Sequence, residues 1–485
     1  MERKKRSHFS FWTPSLPRLE SHLTFTSPFI PIYRLVRLTY LILTTPLHLT
    51  CLLLSLPPLS FKFPSIFASS WTITQRLVYP FLRRLIWAVA DVGDPNVLTR
   101  SVESGVPPWW AEGLEWFTVR IGGGKKVSWE IERVGMPREA YERDYVSDEV
   151  RGKEGGVEVK KVNLFWFERS EDQTEGGEKE GFEPKRERER IVLYFFGGGF
   201  VCGSPGEGGR CYKIARETGL RVVGVNYRRA TSRERAFPAA LQDALSAYFH
   251  LTLKLGYKDI ILAGDSAGGG LALNLIQYLA GTLYPSLSTE EEKRNFVLPS
   301  AMVLFSPWCD LTLDSFPAHN KLDIILPSIC SNSVEAYLGQ SRTSRKSKGG
   351  SYGSIDDNDG HSTHTNDHHH ASGVPHISEY KDPSHHPWFS PSLRSSLPSL
   401  SLVSTAYSSP HRRPLRILVS LGTAELFYGS ILSLIDNFRN VASENAFELE
   451  VMEGKDEVHA FPLVPEWVSP TAVKSWERLR EWFKE

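Results

Sequence analysis

Gly264-Asp265-Ser266-Ala267-Gly268 sets a serine between glycines, directly after the apolar run "DIILAGD" and at the head of "SAGGGLALNLIQYLA". A serine hydroxyl is a poor nucleophile at neutral pH. It becomes useful on a sharp strand-to-helix turn beside a base, where flanking glycines relieve the steric conflict of the turn. A plain helix N-cap serine needs no glycine on both sides. The pattern recurs at Gly349-Gly350-Ser351-Tyr352-Gly353, within a stretch rich in Ser, Gly, Asp and His that offers no strand or helix to hold it. Ser266 is the candidate nucleophile.

Such a serine needs a base, and the base needs an orienting acid. Glu425 in "LVSLGTAELF" and His459 in "KDEVHAF" follow Ser266 in the order acid then base, each just past a predicted strand. Glu425 also reads as an ordinary acid in a first helical turn, and His459 as a satisfied surface or core histidine. Asp456 and Glu457 are rivals for the acid, although they share a loop with the base.

The stretch "IVLYFFGGGFVCG", Ile191 to Gly203, runs from a strand into three glycines whose N–H groups could approach a substrate closely. In esterases and lipases that loop usually reads HGGG, and here Phe196 replaces the histidine. The donors in such a loop are main-chain amides, so none is lost. A lost supporting hydrogen bond is worth about 0.5 to 1.5 kcal/mol, against about 2.7 to 4 kcal/mol for a deleted donor. The expectation is a slower site whose catalytic function is intact.

Positioning these groups falls to short apolar runs that alternate with helical patterns from Val127 onward, the signature of a mostly parallel sheet covered by helices on both faces. Strands are predicted at 127–134, 162–169, 191–196, 221–227, 259–264, 301–306, 416–422 and 447–453. Helices are predicted near 208–218, 237–255, 267–280, 424–440 and 468–484. The charged segment 170–190 reads as a solvated loop, and 341–374 as a disordered insertion with too little apolar surface to order itself. Its "DHHH" lacks the spacing of a metal site, and no metal is expected.

At 485 residues the chain is long enough for one large core with appendages. Lys+Arg and Asp+Glu both total 56, and this balance gives no reason to expect nucleic acid as a partner. The five cysteines lack zinc or disulfide-scaffold spacing and read as core thiols, with a Cys202–Cys211 bridge left open. Leu38 to Leu56 is an apolar run about as long as the ~20 residues that cross a bilayer. A membrane anchor is its first reading. Pro46, His48 and Pro57-Pro58 keep an interfacial or re-entrant helix open, and a buried soluble helix is a third reading. The expected division is a basic segment and anchor at 1–90, a lid or linker at 91–126 and a catalytic domain at 127–485.

With "FGGGF", "NYRRATSRERAFPAALQDAL", "GDSAGGGLAL", "SPWCDLT", "GTAELF" and "VHAF" in order, the chain from about residue 127 resembles the hormone-sensitive lipase family of α/β hydrolases. The N-terminal run is similar to that of its membrane-anchored members. The resemblance implies an α/β-hydrolase fold, a Ser266, Glu425, His459 triad and an oxyanion hole from the amides of Gly198, Gly199 and Ala267. It implies a lid built from residues before the first strand and from about Asp314 to Gln340, no cofactor, and a hydrophobic ester as substrate, with acetate as one candidate acyl group. It further implies a membrane location such as the endoplasmic reticulum, and a homodimer stays open. A ligand-binding pseudo-hydrolase and an amidase or peptidase on the same fold are the other readings.

Overall fold

The computed structural model describes residues 30–54, 70–90, 127–151, 157–169, 189–206, 209–317, 322–339, 380, 382–409, 411–443 and 445–485. Runs rich in β-branched and aromatic residues form β1 (Val127–Val134), β2 (Val162–Arg169), β3 (Arg190–Phe195), β4 (Arg221–Val225), β5 (Asp259–Asp265), β6 (Ala301–Phe305), β7 (Leu415–Gly422) and β8 (Phe447–Gly454). They make one sheet in the order β1-β2-β4-β3-β5-β6-β7-β8. β2 runs antiparallel to both neighbours, and every other pair is parallel. Every strand expected from the sequence is present, with ends moved by no more than two residues. β4 and β6 are buried along their whole length, which is why they read as continuous apolar runs without alternation.

Register brings the candidate residues together. Phe195 pairs with Gly264, so the triple-glycine loop after β3 leaves the sheet beside the serine turn after β5. Gly422 pairs with Gly454, so the segments carrying Glu425 and His459 leave it side by side. All four loops emerge at the C-terminal edge of parallel strands, where open α/β sheets place their ligands.

The helices that bear on the site are α1 (Ile30–Leu54), α2 (Ile73–Ala90), α3 (Arg210–Thr218), α4 (Ala239–Phe249), α5 (Ala267–Ile276), α6 (Pro327–Tyr337), α7 (Leu397–Tyr407), α8 (Tyr428–Val441) and α9 (Pro470–Lys484). α4 and α5 widen into π-helical stretches at His250–Lys254 and Gln277–Leu283, completing the longer helices the pattern predicted. α6 falls within the segment from about Asp314 to Gln340 expected as a lid, whereas α2 and α7 have no counterpart among the predicted helices. α7 is serine-rich, "LPSLSLVSTAY", and its hydroxyls hide the apolar stripe of Leu400, Val403 and Ala406 that it buries.

The structure gives no support to the expected membrane span. Among the described residues no helix is long and apolar enough to cross a membrane. Most of the run lies in α1, whose 25 residues contain Pro46. α1 lies on α2: Leu41 packs with Leu85, Ile86, Leu326 and Ile329, and Arg84 Nη2 donates to Thr44 Oγ1 at 2.5 Å. The bridge left open between Cys202 and Cys211 does not form; both are free thiols, as are Cys309 and Cys330. Residues 91–126, the insertion 341–374 with its histidines, the second serine pattern at 349–353 and most of the charged loop lie outside the described residues.

Candidate active site

Ser266 sits at φ 54°, ψ −123°, a left-handed conformation forced by the abrupt change from β5 to α5. Gly268 answers a local requirement, because a Cβ there would run into the Phe195 carbonyl. The Ser266 N–H donates to the Phe305 carbonyl at 3.0 Å, and its own carbonyl accepts from Trp308 at 2.8 Å. Both ends of the turn are thereby tied to β6 and the segment after it. At the head of α5 the Ala267 N–H is one of the amides a helix start leaves without an intrahelical acceptor.

The loop after β3 is braced from beneath. Gly198 has φ 124° and Gly199 φ 61°, and among the described residues no acceptor takes either amide. The Asp265 carboxylate, next to the candidate nucleophile, accepts from the Gly197 N–H at 2.9 Å and from the Tyr194 hydroxyl, and pairs with Arg210 at 3.4 Å. Phe196 is fully buried, its ring stacked on Tyr227 at 4.1 Å and 9°. The Tyr227 hydroxyl donates to the Phe196 carbonyl at 2.6 Å. Sequence reading found the missing histidine but not the tyrosine, thirty-one residues later, whose ring and hydroxyl both bear on the loop.

Glu425 and His459 meet. His459 Nδ1 lies 3.2 Å from Glu425 Oε2, so the imidazole donates to the carboxylate and leaves Nε2 as the accepting end. Nε2 is buried and has no hydrogen-bond partner among the described residues. Glu425 Oε1 accepts from the Gly422 N–H at 3.2 Å. Burial raises the Glu425 carboxyl above its ordinary value, although the His459 bond opposes this. Burial alone would lower the His459 pKa; the Glu425 bond and charge, with Asp323 and Asp265, outweigh it and leave the pKa raised. The rival acids are occupied elsewhere. Asp456 Oδ2 accepts from Ser70 at 2.7 Å, and Glu457 accepts from Tyr79 at 2.8 Å, Gln75 at 3.0 Å and Ser469 at 2.8 Å.

Ser266, His459, Gly198 and Gly199 line one cavity of about 290 Å³. Arg210 and Asp265 also lie on its wall, and the rest is largely apolar: Ile86 of α2, Ile325 and Ile329 around the start of α6, Trp308, Phe427 and Leu463. Phe427 meets the His459 imidazole edge to face at 5.0 Å. The cavity has the size and lining of a pocket for a small apolar group. In chemical terms the site holds a turn-mounted hydroxyl, an imidazole bonded to a buried carboxylate, and two glycines on the cavity wall whose amides have no acceptor among the described residues.

One buried acid at the site escaped the sequence reading. Asp323 is wholly buried; its Oδ1 accepts from the N–H of His459 at 2.9 Å and of Ile324 at 2.8 Å, and its Oδ2 from that of Leu426 at 2.7 Å. The available signal was an acid set in the apolar run "LDIIL".

Comparison with known proteins follows the same lines. Residues 192–348 match the family model described as the alpha/beta hydrolase fold. The chain is 36% identical over 138 residues to an acetyl-hydrolase of Streptomyces hygroscopicus, covering 28% of this chain and 41% of that one. It is 41% identical over 86 residues to the versiconal hemiacetal acetate esterase of Aspergillus parasiticus, covering 18% and 27%. It is 33% identical over 153 residues to arylacetamide deacetylase-like 2 of Homo sapiens, covering 28% and 35%. The chain thus spans under half the length of each of these relatives. Among solved structures, a hormone-sensitive lipase from a metagenome library is 18% identical with a TM-score of 0.43, covering 80% of this chain and 95% of that one.

Proposed function

We propose that this chain, an α/β hydrolase of the hormone-sensitive-lipase-like kind, is a serine carboxylesterase acting on small acyl esters of hydrophobic alcohols. The observation that carries the reading is the bond from His459 Nδ1 to the buried Glu425, with His459 and the turn-mounted Ser266 on the wall of one apolar cavity. Neutral His459 takes the Ser266 proton through Nε2 as Oγ attacks the ester carbonyl, and Glu425 stabilises the imidazolium that results. The amides of Gly198, Gly199 and Ala267 receive the oxyanion. His459 then returns its proton to the leaving alkoxide, and water, activated by the same imidazole, releases the acid and regenerates the serine. Every group in this sequence belongs to the chain itself.

The acyl side is argued from the cavity, whose volume of about 290 Å³ suits a short chain, and from the acetate-cleaving names of two relatives. The hydrophobic alcohol, and association with a membrane surface, are argued from the N-terminal helices. Among the described residues, all the exposed large apolar side chains except Trp467 lie on α1 and α2, including Leu43 at 72% and Ile42 at 69% exposure. Such a patch fits a helix lying in a lipid interface without spanning it. Ile86 of α2 lines the cavity, so this helix carries both exposed apolar side chains and part of the cavity wall.

Fluorophosphonate labelling of the parent and of Ser266→Ala tests the reading. The parent is expected to be labelled and the variant to remain blank. Equal labelling of both would reject Ser266, and a blank parent would favour a binding module. Turnover of acetyl, butyryl and long-chain nitrophenyl esters is expected to fall with acyl length.

A further inference from the structure

We propose that Asp323 is a positioning residue for the acid–base pair, a single carboxylate that fixes the spacing of the Glu425 and His459 segments and is itself held in place by Arg83 of the N-terminal helix α2. The proposal rests on the Glu425–His459 reading above. Its two oxygens reach two separate loops. Oδ1 takes the N–H of His459 itself at 2.9 Å, and Oδ2 takes the N–H of Leu426, the residue after Glu425, at 2.7 Å. Those loops leave neighbouring strands and also meet through the side-chain bond between the acid and the base, the Phe427 ring on the His459 imidazole, the Asp456 N–H on Thr423 Oγ1 at 2.7 Å, and backbone turns such as Ala424 N–H to the Glu457 carbonyl at 3.0 Å. One rigid planar group bonded to both backbones therefore sets the distance over which Glu425 must reach His459.

The carboxylate comes from a third direction. Asp323 belongs to the segment entering α6, far in sequence from β7 and β8, and that segment is clasped by α2. Arg83 Nη1 donates to the Asp323 carbonyl and, at 3.3 Å, to the Ile325 carbonyl. α2 also grips the histidine loop directly, through Tyr79 and Gln75 on Glu457, and Trp71, two residues before the helix, donates from Nε1 to the Asp456 carbonyl at 2.5 Å. The helix that carries part of the exposed apolar face is thus bonded to the loop of the base and to the residue that spaces the base from its acid.

The charges around the pair fix the sign of a pH test. Glu425, Asp323 and Asp265 all favour the imidazolium form of His459, and Arg210 pairs with Asp265 from α3 at 3.4 Å. Arg83 faces Asp323 from α2. From its own loop comes Glu457, bonded to α2, and Lys213 of α3 lies against the loop through the Pro462 carbonyl at 3.3 Å. Removing the charge of Asp323 lowers the pKa of His459; removing that of Arg83 raises it.

Asp323→Asn, Asp323→Glu and Arg83→Gln, in the full chain, are compared by kcat and KM for a nitrophenyl acetate, each normalised to sites titrated with fluorophosphonate. Asp323→Asn is expected to lose roughly 10- to 100-fold in kcat, the scale of a misplaced catalytic group, with KM within about twofold. Its acid limb of kcat/KM moves to lower pH. Asp323→Glu keeps the parent's limb while losing kcat, and Arg83→Gln moves the limb the other way with a several-fold loss. A kcat per site equal to the parent's in Asp323→Asn overturns the proposal, as does an unmoved limb. If Asp323→Asn yields no folded protein, Arg83→Gln decides: a parent-like kcat and limb in a protein of near-parent Tm overturn it. A parent that takes no label at all sinks the underlying site reading instead, so the two failures are told apart.

Discussion

Replacing Tyr227 by phenylalanine removes one oxygen atom and tests how the loop after β3 is held without a histidine. The ring stays, so the stack on Phe196 at 4.1 Å survives; the hydroxyl that donates to the Phe196 carbonyl at 2.6 Å does not. No other donor among the described residues takes that carbonyl, and both residues are fully buried, so it is left unpaired out of reach of solvent. Leaving such a group unsatisfied costs about 1 to 3 kcal/mol. Burial first, then the Asp265 charge, raises the phenol pKa well above its ordinary value, so Tyr227 is a neutral donor at every working pH and the effect should not vary with pH. Gly198 and Gly199 follow the orphaned carbonyl by two and three residues. Losing one oxyanion donor outright would cost about 2.7 to 4 kcal/mol; a loosened loop forfeits part of that, so kcat should fall about tenfold, or about 1.4 kcal/mol. Urea unfolding and kcat per fluorophosphonate-titrated site measure the two effects. An unchanged kcat alongside a stability loss above 1 kcal/mol would show that the carbonyl bond braces the fold but not the donors, and the account of the loop would be refuted.

Phe196→His should lower stability, because an imidazole replaces a fully buried ring in a stacked pair, while kcat per titrated site stays within about threefold of the parent. A large gain in turnover would mean that the stack is a poor substitute for a histidine's bond. Glu425→Gln should cost on the order of 10⁴-fold in kcat, since an amide neither fixes the imidazole tautomer nor stabilises its charge; a loss under tenfold would remove Glu425 from the mechanism. Because the His459 pKa is raised, its protonation stabilises the fold fully below about 6.5, and that contribution is lost as pH climbs through the folded value. Turnover needs the neutral imidazole, so kcat/KM should rise over that same interval, and a profile flat down to pH 5.5 would contradict the assignment. Ile42→Asp with Leu43→Asp, both on exposed positions of α1, should reduce co-flotation with phosphatidylcholine vesicles severalfold and leave hydrolysis of a soluble acetate ester unchanged; undiminished flotation would sink the interfacial reading.

The chain alone determined a good deal. The centres of runs such as "AMVLF" and "VVGV" are apolar throughout because their strands are buried on both faces, and that pattern is set within a handful of residues. The turn at Ser266 was legible for a similar reason, since its strand and helix flank it directly, although the contact that requires glycine at 268 is made with the Phe195 carbonyl of β3. Chain order was enough to nominate Glu425 and His459. Their meeting was decided by register: Gly422 opposite Gly454 is a fact of β7 against β8, which no local pattern encodes. The same holds for Asp323, whose importance comes from two amides more than a hundred residues away. Phe196 looked like a loss until its ring was seen against Tyr227. The apolar run of α1 marks the limit of local pattern, because hydropathy measures how much a helix avoids water and is silent on whether protein or lipid covers it; Leu41 against Leu326 and Arg84 on Thr44 are contacts only the packed molecule contains.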